Sequence, residues 1–178
     1  MKVSDSFSTP RIKARRLTPG DLDDLATMYQ TPSVMQTLGG LLSREQTIAK
    51  LDDRLTHWDN FGFGYYAFED KRAESFMGRG GLRQVIVDGI KEVEVAYAFM
   101  PDYWGKGLAT EVVKELVSIA IDDIGLTSVI AFTLPENNAS ARVLEKVGFV
   151  FEKSIIHAEL PHNFYRYVSK RESRSSQK

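Results

Sequence analysis

The chain has 178 residues, a formal net charge of −1 and no cysteine. The lack of thiols excludes disulfides, thiolate metal sites and a covalent cysteine intermediate. A near-neutral charge balance argues against a nucleic-acid-binding surface, which needs a concentrated basic footprint. No apolar run approaches the ~18 residues that span a bilayer, and the polar N-terminus does not resemble a secretory signal. We therefore expect a cytoplasmic protein without nucleic-acid or membrane partners.

Composition along the chain predicts a single domain with loose ends. Residues 1–8 are expected to be flexible, and residues 9–170 fit one domain of ordinary size. The small polar residues of 171–178 predict a disordered tail.

The first segments predict a strand followed by two helices. Ile12 to Leu17 alternates like a strand, and the basic cluster between Arg11 and Arg16 is interpreted as its solvated face. Thr18 has the features of a helix start, with proline and an acidic residue in the first turn. Ser43 and Gln46 form a capping-box pattern that begins a second amphipathic helix.

Three successive strands with short connections follow, and they predict an antiparallel meander: 63–69, 75–87 and 91–100. Gly78, Gly80 and Gly81 inside the second of these strands indicate either a bulge or a close backbone approach.

The C-terminal part predicts a strand, a helix and two closing strands. The strand over 128–134 follows a helical connection, so it is expected to run parallel to its predecessor. A helix opening at Pro135 and ending at Gly148 comes next, and strands over 149–156 and 164–168 close the sheet.

A strand, a glycine-rich turn and a helix stand at the centre of the chain. Residues 94–100 alternate between bulky and small side chains, and an amphipathic helix begins after Gly105 and Gly107. A helix N-terminus presents unpaired N–H groups, and glycines let an anion approach them closely. The pattern therefore favours a pyrophosphate site, beside which Lys106 adds a cation, although a plain strand-to-helix turn has the same residues.

The residues from Asp102 to Glu111, DYWGKGLATE, resemble the coenzyme A pyrophosphate loop of the GNAT superfamily of N-acetyltransferases. The Rim-type branch resembles nearly the whole chain, including the opening TPR, HW followed by GFG, and NNAS followed by LEKVGF. Trp104 at the first loop position is also frequent in that branch. The resemblance implies an α/β (α+β) GNAT fold, in which helices flank a mixed, mostly antiparallel sheet of six to seven strands.

The resemblance also implies acetyl-CoA as cosubstrate and a primary amine as acceptor, a protein N-terminus or a small molecule. It places donor-binding residues on the strand edge, in the glycine loop and at a later helix start: Tyr97, Ala98, Phe99, Met100, Trp104, Gly105, Lys106, Gly107, Leu108, Ala109, Thr110 and Asn137. A backbone N–H near Tyr97 to Phe99 would bind the oxyanion.

Two residues are candidates for catalysis. Glu94 shares a strand face with small alanines and is the candidate general base, although an exposed strand residue would have the same pattern. The resemblance assigns Ser140 to the leaving sulfur, whereas the residues alone suggest only ordinary helix-start roles for Ser140 and Asn137. No histidine pair at helical ligand spacing supports a metal.

Met35, Leu38 and Trp58 belong to the segment that forms one wall of the acceptor groove in the resembling family. Core packing is the alternative, and it is favoured for Trp58. Two other functions stay open: a non-catalytic acyl-CoA-binding module, and an acyltransferase with a longer acyl donor. We expect a monomer or a homodimer.

Overall fold

The computed structural model describes residues 3–170, within which eight strands form one sheet in the order β1-β2-β3-β4-β5-β6-β8-β7. The strands are β1 Ser6–Ser8, β2 Ile12–Arg16, β3 Tyr65–Asp70, β4 Phe76–Val87, β5 Ile90–Phe99, β6 Ser128–Thr133, β7 Val150–His157 and β8 Leu160–Val168. All neighbours are antiparallel except β5 and β6, which are parallel as expected. The GNAT-type α/β architecture is thus confirmed.

The prediction of six to seven strands was too low, because β1 lies in the segment expected to be loose. Ser6–Ser8 pairs with β2, and Val3 before it is buried in the core. A strand of three residues, Ser-Phe-Ser, is too short for a period-two hydrophobic pattern to be recognised. The tail expected over 171–178 lies outside the described residues.

Helices cover both faces of the sheet. The α-helices are α1 Leu22–Tyr29, α2 Pro32–Met35, α3 Arg44–Phe61, α4 Leu108–Ser118 and α5 Asn138–Val147. The predicted capping box starts α3: Ser43 accepts from the Gln46 N–H and Gln46 accepts from the Ser43 N–H. Short 3₁₀ turns precede α1 and the glycine loop, and a π-helical turn, Ile119–Asp123, extends α4.

Strand β5 separates two layers of the core. Val95, Tyr97 and Phe99 pack with α4 and α5, a side that we call the α4 face. Ala96, Ala98 and Met100 pack with α1, α2 and α3, which we call the α3 face. The alternation predicted for this strand therefore places a bulky layer under one set of helices and a small-residue layer under the other.

The glycines of β4 serve a close backbone approach. A Cβ at Gly78 would collide with the carbonyl oxygen of Ala98, and one at Gly80 would lie 2.6 Å from that of Ala96. In the register of β3 with β4, Phe68 pairs with Gly78 and Glu69 pairs with Phe76, so the extra residue of a β-bulge is Met77 of β4. Strand β4 therefore has both predicted features, a bulge next to Gly78 and a close backbone approach.

Strands β5 and β6 separate soon after they meet. Their register has one pair, Glu94 with Ile130. The N–H of Met100 donates to β4, at the Met77 carbonyl, so the alternate residues Tyr97 and Phe99 direct their N–H groups to the opposite edge. That edge faces the gap between the strands, and it has no strand partner beyond Glu94.

Candidate active site

The glycine loop, residues 102–107, ends at the start of α4 beside the open edge of β5. Gly105 and Gly107 have φ values of 70° and 76°, a region that favours glycine. A Cβ at Gly105 would meet nothing within 4 Å, so backbone conformation rather than lack of space requires glycine there. The first intrahelical bond joins the Glu111 N–H to Gly107, which leaves the N–H groups of residues 108–110 available to an anion.

Arg11 fixes the loop from the other end of the chain. Its Nη1 donates to the Lys106 carbonyl at 2.7 Å, and its Nε pairs with Glu111 Oε2 at 2.8 Å. Thr9 also donates to the carboxylate of Glu111. These contacts hold the first turn of α4 against the start of β2, and Arg11 is part of a scaffold rather than of a solvated basic face.

The side chains of Lys106 and Trp104 bond to nearby backbone. Lys106 Nζ donates to the Asp102 carbonyl at 2.7 Å and lies 5.8 Å from the Tyr103 ring centroid. The half-exposed indole of Trp104 donates to the Phe99 carbonyl at 2.8 Å. Trp104 thus contacts the open edge of β5 directly.

Ser140 and Tyr97 meet on the α4 face. Their hydroxyl oxygens are 2.7 Å apart, and burial raises the pKa of Tyr97 to about 12 although the hydrogen bond to Ser140 opposes this shift. Tyr97 therefore keeps its proton at neutral pH. Asn137 caps α5 by accepting from the Ser140 N–H at 3.1 Å, which is the ordinary helix-start role considered for it.

Glu94 lies on the α3 face and is 7% exposed. Arg83 lies directly opposite Glu94 on the neighbouring strand β4. It donates to Oε2 of Glu94 from Nη2 at 2.6 Å and from Nε at 3.0 Å. Burial is the largest single effect and lowers the pKa of Arg83, but the charge and hydrogen bond of Glu94, with smaller effects of Tyr65 and Asp53, raise it, so the net shift is upward. The ion pair fixes the Glu94 rotamer, and within residues 3–170 Oε1 accepts no hydrogen bond.

The three predicted groove residues lie near α3. Met35 and Trp58 are each 2% exposed, whereas Leu38 is partly buried. The indole of Trp58 donates to the Tyr65 carbonyl at 2.8 Å and packs edge-on against Tyr66. Trp58 therefore forms part of the core as the structure stands.

Residues 11–150 match the acetyltransferase (GNAT) domain family. The protein belongs to the GNAT acetyltransferase family. It is an N-acetyltransferase, and acetyl-CoA is the usual donor of such enzymes.

Related proteins agree in fold and length with this GNAT chain. The uncharacterized protein YkkB of Bacillus subtilis (strain 168) is 27% identical over 156 residues, which cover 87% of this chain and 91% of YkkB. An acetyltransferase from Agrobacterium tumefaciens str. C58 has a TM-score of 0.83 at 21% identity, with 95% and 97% of the two chains covered.

Two enzymes with stated substrates share the fold. The ribosomal-protein-S5-alanine acetyltransferase of Vibrio fischeri has a TM-score of 0.74 at 18% identity, with 94% and 98% covered. The spermidine N-acetyltransferase of Vibrio cholerae, solved with CoA and spermine, has a TM-score of 0.71 at 16% identity, with 88% and 95% covered. At these identities the likeness extends to the GNAT fold alone.

Sequence reasoning missed Arg83, although a signal for it existed. Asp88-Gly89 is a two-residue turn between β4 and β5, and it pairs Val87 with Ile90. Counting back along both strands from that pair puts Arg83 opposite Glu94. The contact between Arg11 and Glu111 had no such local signal, because the two residues are 100 positions apart.

Residues 3–170 contain no cluster of histidine and acidic side chains with the arrangement of a metal site. The helices of this part of the chain lack the length and hydrophobicity of a membrane-spanning segment.

Proposed function

We propose that this protein transfers an acetyl group from acetyl-CoA directly to a primary amine, with Glu94 as general base and Ser140 as proton donor to the leaving thiol. One observation carries the proposal. Glu94 and the Ser140–Tyr97 pair lie on opposite faces of β5, at the point where its edge opens beside the glycine loop. The two proton-handling groups therefore flank the same stretch of backbone.

The donor fits the α4 face and the open edge. The N–H groups of residues 108–110 and the positive end of α4 would bind the pyrophosphate. The unpaired edge of β5 would bond the amide groups of pantetheine, as a sheet edge bonds an added strand. The thioester then lies in the gap between β5 and β6, where the N–H of Tyr97 or Phe99 is free to stabilise an oxyanion.

The acceptor approaches from the α3 face. The amine nitrogen attacks the thioester carbonyl and its excess proton passes to the free Oε1 of Glu94. Collapse of the tetrahedral intermediate breaks the carbon–sulfur bond, and the thiolate takes a proton from the Ser140 hydroxyl. Tyr97, which is protonated at neutral pH, replaces that proton through its 2.7 Å hydrogen bond and then regains one from water. Glu94 releases the amine proton to water, so the enzyme returns to its starting state.

We further propose that the enzyme belongs to the Rim-type branch. The motifs of the glycine loop and of α5, together with Trp104 at the first loop position, support this assignment. Enzymes of that type act on protein N-termini or on small amines, and we propose the same acceptor range here.

Calorimetric titration with acetyl-CoA, with NAD as the comparison ligand, tests the donor. Thiol release is then measured with primary amines, in parallel for acetyl-CoA and succinyl-CoA. The proposal predicts binding of acetyl-CoA but not NAD, and amine-dependent release of CoA with the acetyl donor. Binding of acetyl-CoA without turnover of any amine would instead identify a non-catalytic module, and faster turnover of succinyl-CoA would identify a longer acyl donor.

A further inference from the structure

Four cations gather on the α3 face next to Glu94, and we call them the cationic cluster: Lys50, Arg54, Arg79 and Arg83. The first two are one helical turn apart on α3, and the last two belong to β4. Tyr29 and Tyr65 connect them, because the Arg79 guanidinium lies 5.6 Å and 5.4 Å from their ring centroids. Arg54 lies 4.6 Å from the Tyr65 centroid, and Lys50 6.0 Å from that of Tyr29.

Arg79 has no anionic partner in the part of the chain that the structure describes. It is 6% exposed, and its one hydrogen bond runs from Nε to the Tyr29 hydroxyl at 3.0 Å. The two terminal nitrogens of this guanidinium donate to no residue between 3 and 170. Buried charges in proteins are normally paired, because an unpaired ion loses its hydration without compensation.

Arg54 repeats this observation on the facing helix. It is 7% exposed, and its Nη1 pairs with Asp53, an exposed residue. Its Nε is fully buried and finds no hydrogen-bond partner within residues 3–170. Two nearly buried guanidiniums lie against the ring of Tyr65, and each keeps a donor that no residue between 3 and 170 uses.

The charges of the cluster are not balanced. Glu94 pairs with Arg83 and Asp53 pairs with Arg54, so within residues 3–170 neither Arg79 nor Lys50 forms an ion pair with a carboxylate of its own, although the charges of Glu94 and Asp53 act on them. Burial first, and then the charges of Arg79, Arg54 and Arg83, together lower the pKa of Lys50 to about 8 against the smaller effect of Asp53. An electrostatic environment that disfavours a further cation favours an anion.

The cluster continues the surface on which Glu94 lies. Across β4 and β5, Arg83 is opposite Glu94 and Arg79 is opposite Ala98. The position between them pairs Gly81 with Ala96, so the sheet places no long side chain there. The backbones of Arg79 and Arg83 are about 13 Å apart along β4, at about 3.3 Å per residue.

We infer that the acceptor amine carries a compact anion, a carboxylate or phosphate, which binds Arg79 and Arg54 while the amine faces Glu94. This inference rests on the proposed function and specifies its substrate class. A planar guanidinium binds either anion through two parallel hydrogen bonds. A nearly enclosed Arg79 suits a small amino acid or aminoalkyl phosphate, and it does not suit a polyamine, whose cations the cluster repels.

The test measures CoA release from acetyl-CoA with matched acceptors. Each free proteinogenic amino acid is compared, as an acceptor, with the amine that lacks its carboxylate. Serine, for example, is matched with ethanolamine. Phosphoethanolamine supplies the phosphate arm, and spermidine is the cationic comparison. For at least one matched pair, we expect kcat/KM of the anionic member to exceed that of the plain amine by about 10- to 100-fold, the range of charge-assisted hydrogen bonds.

The variant Arg79→Met assigns this preference to the cluster. The expected result is that the preference falls to within about threefold, through KM, while calorimetry finds unchanged affinity for acetyl-CoA. Arg44→Met is the matched control, because Arg44 lies on the same helix as Arg54 with its side chain 52% exposed, and it should keep the preference. The denaturation midpoint of ligand-free Arg79→Met is measured alongside, because Arg79 also bonds to Tyr29 and packs on Tyr65.

Each other outcome overturns the inference. If plain amines or spermidine react as well as the anionic acceptors, the acceptor class is wrong and the acetyltransferase assignment stands. A lowered denaturation midpoint with an intact preference in Arg79→Met would make Arg79 a structural residue. If acetyl-CoA binds and no amine reacts, the proposed function fails and the inference fails with it.

Discussion

The two faces of β5 are built by different means. On the α4 face, the proposed donor site consists of backbone groups: positive-φ glycines, the first N–H groups of α4 and the edge of β5 beyond its pairing with β6. On the α3 face, the proposed acceptor site consists of largely buried charged side chains from three separate elements. Backbone sites arise from local sequence and bind a group common to all coenzyme A thioesters, whereas side-chain sites can be changed one residue at a time. This difference explains why the sequence predicts the donor and not the acceptor.

Glu94→Gln tests whether the α3 face performs the chemistry, and it has the largest expected effect. Loss of a general base lowers kcat by about 10² to 10⁴. Because Glu94 lies on the other face from the glycine loop, the affinity for acetyl-CoA should stay within about twofold. Steady-state thiol release and calorimetry on the same preparation separate the two quantities.

Glu92→Gln is the control for this variant. Glu92 lies on the same strand and pairs with Arg166, so the substitution removes a comparable ion pair outside the site. Equal losses of kcat in the two variants would show that Glu94 is not the general base.

Gly107→Val tests the α4 face, where the expected loss is in acetyl-CoA affinity rather than in kcat. Valine at a φ of 76° strains the start of α4, and a cost of about 1–3 kcal/mol predicts a dissociation constant for acetyl-CoA raised about 10- to 100-fold. At saturating donor, kcat should change much less.

Gly125→Val separates backbone strain from ligand binding. Gly125 has a φ of 82° and open space around its Cβ position, yet it lies at the far end of α4. Both variants should lose stability, and only Gly107→Val should lose affinity. If both bind acetyl-CoA equally well, the glycine loop is a turn without a ligand.

Ser140→Ala and Tyr97→Phe test the two proposed proton donors on the α4 face. An alkyl thiolate is already a fair leaving group, since thiols ionise near a pKa of about 8.5, so each variant should lower kcat only about tenfold. Because the two hydroxyls act as one relay, the double variant should be little worse than either single variant. Multiplicative losses in the double-mutant cycle would show that they act separately.

Lys50→Gln measures how much the charge of Lys50, on the α3 face, lowers the free energy of unfolding. The pKa of Lys50 falls from 10.5 to about 8 on folding, so the folded state binds this proton more weakly than the unfolded state. The cost to stability is therefore complete below pH 8 and disappears as the pH rises to about 10.5. After allowance for solvent screening, Lys50→Gln should raise the free energy of unfolding by about 1 kcal/mol at pH 7.

Urea denaturation across this pH range checks the sign. The difference between wild type and Lys50→Gln should shrink as the pH rises, whereas Lys114→Gln, on the exposed side of α4, should show no such trend. A difference that is constant with pH would mean that the charge of Lys50 costs the fold nothing.

The sequence predicts a feature when the residues that form it are close together in the chain. The capping box at Ser43, the turn at Asp88-Gly89 and the glycine loop are local, and the structure confirms all three. The edge strand Ser6–Ser8 is too short to carry a pattern. Arg79 gave no signal either, because its buried, unpaired state depends on Tyr29, 50 residues away.

Amide hydrogen exchange along β5, with and without acetyl-CoA, tests most directly that the donor binds at the open edge. If acetyl-CoA binds at this edge, exchange should become slower at the N–H groups of Tyr97, Phe99 and residues 108–110. Ala98, whose N–H already faces β4, should change little, and so should α3. Protection confined to the α3 face, or none on β5 and α4 at saturating acetyl-CoA, would contradict the proposed division of the two faces.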